Sequence, residues 1–218
     1  MFMNHTMNDQ ERLRLNQRVA EVEKNADVQV VLAVTGRCDV YAELPWKAFA
    51  LGTSVAGLIL ILLNMFGAGC LYCASAFIAV SATLAAGAVC ALVCVLVPAF
   101  ARLFLDAVRA EVESRQYAES LFLSRELFAT RRRTGILVLV SLFERRVVLL
   151  PDAGLSGRLS QGDMQDVIAH IAKPLALGRI ADAFGEGLNR LESLLSVTAS
   201  GKPVENELPD GIIEGERP

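Results

Sequence analysis

Three kinds of hydrophobic pattern divide this chain. The first is helical spacing. Between Asn8 and Lys24, Leu15, Val19 and Val22 recur at intervals of four and three among charged residues, which predicts an amphipathic helix. Asn8 and Glu11 stand three apart at its start, the spacing of a reciprocal cap. The second pattern is the short dense run. Val28–Val34 (VQVVLAV), Ile136–Leu142 (ILVLVSL) and Arg146–Leu150 (RVVLL) are β-branched and almost wholly apolar, which predicts strands buried on both faces. Only Phe143, Glu144 and Arg145 separate the last two, so they form a β-hairpin. The third pattern is a long unbroken run: no Asp, Glu, Lys, Arg or His occurs from Ala48 to Ala101.

As one helix that run would reach roughly 80 Å. A hydrocarbon core is about 30 Å thick and takes about 20 apolar residues to cross. One span is too few and three are too many. Asn64 and Gly67-Ala68-Gly69 mark a break near the middle, giving spans at Trp46–Phe66 and Leu71–Ala99, with Pro98 as a kink near the end of the second. Helical signals resume after it. Arg102 to Arg132 reads as one helix continuing the span, with Val108, Val112, Ala118, Phe122 and Leu127 in a stripe and Thr134-Gly135 as the stop. Ser160 caps a helix with Asp163 three residues on; it runs to Ala172, with Pro174 just beyond. Gly178 to Val197 is a final amphipathic helix carrying Ile180, Phe184, Leu188, Leu191 and Leu195 inward. From Thr198 the tail is rich in Gly, Pro and acids and is expected to be extended or disordered.

The organisation follows from these elements. Residues 1–45 supply a helix and a strand, 46–100 a transmembrane hairpin, 101–197 the rest of a soluble domain, and 198–218 a flexible acidic tail. Neither soluble piece stands alone, because a lone apolar strand leaves its backbone polar groups without partners. The two pieces are expected to form one α/β domain with the hairpin inserted in it.

Composition adjusts this picture only slightly. The chain has 218 residues, 53% of them hydrophobic, and a mean hydropathy of +0.42, a mixture of spans and soluble parts. A net charge of −3, nearly balanced outside the spans, excludes a basic nucleic-acid binder. Lys47, Arg102, Arg109 and Arg115 flank the hairpin and its turn has no Lys or Arg. The positive-inside rule then places both termini in the cytoplasm and the turn on the far side. The polar segment Met1–Asp27 lacks the apolar core of a secretory signal. Of five cysteines, Cys70, Cys73, Cys90 and Cys94 fall in or beside the spans and only Cys38 in a soluble segment, which is not a disulfide framework. Cys70 and Cys73 read as small apolar filler rather than as a metal or redox pair.

At the strand pair the sequence becomes recognisable. Arg133-Thr134-Gly135-Ile136-Leu137-Val138-Leu139-Val140-Ser141-Leu142-Phe143-Glu144-Arg145-Arg146-Val147, followed by Asp152-Ala153-Gly154-Leu155, resembles the TPM domain family. More closely it is similar to the bacterial membrane subgroup in which two spans interrupt the domain. Asn206-Glu207-Leu208-Pro209-Asp210 is similar to that subgroup's tail. The resemblance implies a small α-β-α sandwich around a mixed sheet. It implies a range of roles: acid phosphatases, binders of divalent cations such as calcium, and factors for repair or assembly of membrane complexes. Typical members carry a signal peptide, which this chain does not show.

The residues themselves offer little chemistry. Gly154-Leu155-Ser156-Gly157 is not a nucleophile elbow, and His5 and His170 have no partners at zinc spacing. A hard cation, calcium or magnesium, would need several converging oxygens. Asp152 after the third strand and Asp39 after the first would share an edge if those strands run alike, and Asp163 could join them; each also has a turn, loop or capping role. Arg131-Arg132-Arg133 would complement a helix C-terminus, or alternatively touch anionic lipid. Arg145-Arg146 reads as a solvated turn blunting an edge. The spans hold no ionisable group, which argues against a transporter, and Gly52, Ala56, Gly57 and the stretch Ala82–Ala91 permit close packing or self-association. The expectation is a protein of the bacterial inner membrane, anchored in the bilayer and acting on a membrane-protein partner in complex assembly or maintenance. The alternative is a metal-dependent phosphatase acting on phosphomonoesters.

Overall fold

The computed structural model describes residues 7–66, 76–196 and 212–215. Of these, Val40–Arg109 form one unit, and the residues before and after them form a second.

The second unit is a sheet with helices on both faces. Helix α1 (Asp9–Ala26) opens with the predicted cap: the Asn8 side chain accepts from the third helical N–H while Glu11 accepts from the Asn8 N–H at 2.9 Å. Strand β1 (Gln29–Thr35) follows. Strands β2 (Gly135–Ser141) and β3 (Arg146–Pro151) come from beyond the insertion, and a short β4 (Ile213–Gly215) from the tail. The sheet order is β3-β2-β1-β4. β1 runs parallel to β2, from Gln29↔Gly135 to Thr35↔Ser141, whereas β3 runs antiparallel to β2, from Ser141↔Arg146 to Ile136↔Pro151. Every residue of β1 and β2 is buried, as strands covered on both faces require.

Alternation sends Val30, Leu32, Ile136, Val138 and Val140 to one face, against α1, α6 (Gln161–Ala176) and α7 (Ile180–Leu195). Val31, Ala33, Leu137 and Leu139 go to the other, under Ala118 and Phe122 of α5 (Ala107–Ser124). Gly187 on α7 permits one close approach, since a Cβ there would lie 2.5 Å from Ile171. The architecture is the expected α-β-α sandwich around a mixed sheet.

Three expectations need correction here. The helix expected over Arg102–Arg132 is broken at both ends: a 3-10 turn at Arg102–Phe104 precedes it, and Asp106 restarts it by accepting from the N–H groups of Val108 and Arg109 at 2.9 and 3.0 Å. It stops at Ser124, ahead of Glu126 with φ 53, so the chain turns ten residues before Gly135 and buries Leu127. Its inward stripe is Ala110, Ser114, Ala118 and Phe122 at strict intervals of four, while Val108 and Val112 are exposed; a buried serine hid the register. Pro174 lies inside α6 and is buried, instead of ending it. The tail contributes β4, and the rest of it lies outside the described residues.

The first unit contains two long helices, α2 (Glu43–Met65) and α3 (Ala76–Leu96). Both are long and apolar enough to cross a membrane, and only 11% of the most apolar eighteen-residue window of each is buried. They pack closely where side chains vanish: a Cβ on Gly52 would sit 2.7 Å from Cys90 Sγ, and one on Gly87 would sit 2.4 Å from Thr53. Val97 adopts an extended backbone, and Pro98 then opens the four-residue helix α4 (Pro98–Ala101), so the proline restarts the chain rather than kinking a continuous span. The expected break at Gly67-Ala68-Gly69 lies outside the described residues.

Two polar clusters at opposite ends of the sheet as candidate functional sites

The mixed sheet decides the fate of the three candidate acids. β3 runs against β1, so Asp152 leaves β3 beside Gly135, at the amino end of β1 and β2, whereas Asp39 follows the carboxyl end of β1. Six residues of strand, about 20 Å, lie between those ends. Asp39 and Asp152 therefore do not share an edge, and the expected joint cation site is corrected. Among the described residues no three His, Cys, Asp or Glu side chains are grouped to hold a metal ion.

At the amino end each acid meets an arginine. Arg133 Nε and Nη2 donate to the two carboxylate oxygens of Asp152 at 2.8 and 3.0 Å, a bidentate fork on a side chain only 4% exposed. Asp152 also accepts from the Ala153 N–H at 2.7 Å, the turn-forming role its sequence position suggested. Arg132 forms an ion pair with the buried Asp27. Arg158 donates to the carbonyls of Ala26 and Leu195, tying together the ends of α1 and α7. Gly154 is required in this turn, because a Cβ there would lie 2.2 Å from the Arg132 carbonyl oxygen. The arginines expected at a helix C-terminus thus sit in a loop after the 3-10 turn Leu127–Ala129, and at least two of them neutralise buried carboxylates.

Asp163 closes the cap of α6. It accepts from the Ser160 N–H at 3.0 Å and from the Ser160 hydroxyl at 2.7 Å, and these hydrogen bonds hold its carboxyl below the usual range. His170, on the same helix, faces the Asp166 carbonyl at 2.8 Å.

The carboxyl end holds a group that sequence reasoning missed. Ligands of open α/β sheets bind outside the carboxyl ends of parallel strands, and here that position is filled by Thr35, Cys38, Ser114, Ser141 and Glu144, all buried. Glu144 accepts from the Cys38 N–H at 2.9 Å and from the Ser141 hydroxyl, locking the loop after β1 to the β2–β3 turn. Burial pushes the Cys38 thiol up to about 11; the Ser141 and Ser114 hydroxyls oppose the rise and the Glu144 carboxylate adds to it. At neutral pH this group is a protonated thiol. Arg37 stacks over the Phe143 ring at 4.0 Å. The signal available in the sequence was an acid inside a three-residue hairpin connection, and it reads as solvent-facing.

In both clusters the buried carboxylates of Asp27, Asp152 and Glu144 are engaged by arginines, backbone N–H groups or a hydroxyl, which ties the loops to the sheet. The comparisons with known proteins agree with the fold. Residues 84–194 match the sequence model of the TPM domain. The chain belongs to the TPM domain family. In this TPM chain the match starts within α3 and ends within α7, so it includes β2, β3 and both polar clusters in part. Among solved structures, the NMR structure of the BA42 protein from the psychrophilic bacterium Bizionia argentinensis is similar. It has 12% identity and a TM-score of 0.59 over 98% of each chain, a likeness of fold alone. No curated protein sequence matches the chain.

Proposed function

We propose that this TPM domain is anchored in a bacterial inner membrane by α2 and α3, with both termini cytoplasmic, and that it works by binding a membrane-protein partner during complex assembly or maintenance rather than by catalysis. The observation that carries this reading is the use of two of the three candidate acids, Asp152 forked by Arg133 and Asp163 closing a cap, beside two further buried acids, Asp27 paired with Arg132 and Glu144 accepting two hydrogen bonds. A phosphatase needs a metal-activated water or a nucleophile, and these side chains are already engaged. Anchoring rests on the apolar surface that α2 and α3 present, which protein does not cover.

The test is hydrolysis of an aryl phosphate by the full chain in detergent with calcium, magnesium or manganese, beside Asp152→Asn. The expected result is no turnover above buffer for either protein. Metal-dependent turnover lost in Asp152→Asn would replace this reading with a phosphatase.

A further inference from the structure

Among the described residues, one edge of the sheet is closed by three residues. β1 pairs with β2 along all seven of its residues, but on its outer side β4 covers only Ala33–Thr35. Alternation along a strand sends the Val30, Leu32 and Val34 N–H groups to that outer side, because Gln29 donates inward to Thr134 at 3.1 Å. The Glu23 carboxylate takes the Val30 N–H at 2.8 Å, capping the first part of the edge from α1. The remainder depends on β4. Ile212 packs against the core shared with α1, α6 and α7, and Ile213 against the core under α5, so two adjacent side chains straddle the sheet.

Such a strand is weakly held. Ordering each backbone residue costs conformational entropy comparable to what one hydrogen bond returns net. Three residues and two half-buried isoleucines therefore balance near zero, whereas the β1–β2 pairing is buried throughout. When β4 leaves, β1 exposes the row of unpaired backbone groups that makes an edge strand a template for another chain.

We propose that the outer edge of β1 at Ala33–Thr35 is a docking slot for an extended segment of a protein partner, and that the chain's own Ile212–Gly215 is its resting occupant. The slot specifies its ligand. The segment enters parallel to β1, as β4 does, and carries two adjacent branched aliphatic residues, one for each face of the sheet. Main-chain pairing supplies affinity and the two side chains supply selection. The inference deepens the partner-binding reading given above by naming the surface, and the slot can exist or fail independently of whether the chain hydrolyses phosphate.

The test uses a fluorescent peptide with the sequence of residues 206–218 and the full chain in detergent micelles. With the tail disabled as Ile212→Asp/Ile213→Asp, the chain should bind the peptide saturably. The wild-type chain should bind about twofold more weakly, because a tail that balances near zero net free energy occupies the slot about half the time. A peptide carrying the same two substitutions should not bind. Hydrogen exchange of the wild-type chain provides a readout that needs no variant: the outward amides of Leu32 and Val34 should exchange faster than those of β2 and slow when peptide is added in excess. No binding to the tail-disabled chain, equal binding of the substituted peptide, or β1 amides unaffected by excess peptide on the wild type would each overturn the slot. Phosphatase turnover with intact peptide binding would sink the functional reading and leave the slot standing.

Discussion

Strands β1 and β2 and helices α2 and α3 are all predominantly apolar, and their surroundings differ completely. All fourteen positions of the two strands are buried. Of the 23 residues of α2 only Leu44, Ala48 and Gly52 are buried, and of the 21 of α3 only Gly87 and Cys94. A strand pair presents two flat faces that helices can cover, so its apolar content becomes core. A helix hydrophobic all round needs either a surrounding protein or a bilayer. In this hairpin Leu58, Ile61, Phe77 and Leu92 remain more than half exposed. Hydrophobicity alone thus does not make a core; the geometry that can cover it does.

The sharpest way to break this comparison is to truncate one leucine in each region. Leu137→Ala removes a fully buried side chain from the centre of the sheet and should cost about 2–5 kcal/mol in urea unfolding. Leu58→Ala, 56% exposed, should change the same measurement by less than about 0.5 kcal/mol. Equal effects would mean that α2 is packed in protein.

A smaller effect separates the polar clusters from an enzyme site. Arg133→Ala leaves the buried Asp152 carboxylate with one backbone donor and should cost about 1–3 kcal/mol. An acid kept for catalysis would instead gain stability when its charge were relieved, so a stabilised Asp152→Asn would count against a structural Asp152. Ser160→Ala should cost about 1 kcal/mol by opening the cap of α6, read from the urea midpoint.

The smallest effect is on pH. The Cys38 pKa is raised in the folded chain to about 11 from an ordinary 9.0, so folding favours the protonated thiol. Its contribution is complete below pH 9 and is lost as pH rises from 9 toward 11. Cys38→Ala should flatten the stability profile over that window. At the acidic side the sign reverses: hydrogen bonds from Asn25 and Arg18 lower the Glu192 pKa, so the link between α1 and α7 holds above the ordinary carboxylate range and is lost as pH falls through the lowered value. Urea midpoints measured across pH check both.

Much of this fold was legible because periodicity and caps are local. The α1 and α6 caps, the three long strands and the two apolar helices all follow from spacing within a dozen residues. What escaped was set by pairing over long distances. Asp39 and Asp152 each stand at a strand end, and only the antiparallel partner of β2 tells that the ends are opposite. Glu144 looks like a hairpin acid, yet the Cys38 N–H, 106 residues away in sequence, brings it inside. Ser114 interrupts the apolar register of α5, so the stripe is right at Ala118, Phe122 and Leu127 and misplaced at Val108 and Val112, where Ala110 and Ser114 face inward instead. β4 was hidden by the polar residues before it, since three residues give too short a period to recognise.

The most direct test of the central claim uses Trp46, the single tryptophan of the chain, which is 72% exposed at the start of α2. Reconstituted in vesicles whose lipids carry bromine at defined depths, Trp46 should be quenched most by bromines near the headgroups and least by those near the bilayer centre, as an interfacial ring at the end of a span requires. A Trp46 that emits as in water and is untouched by bromine at any depth would contradict the membrane anchor.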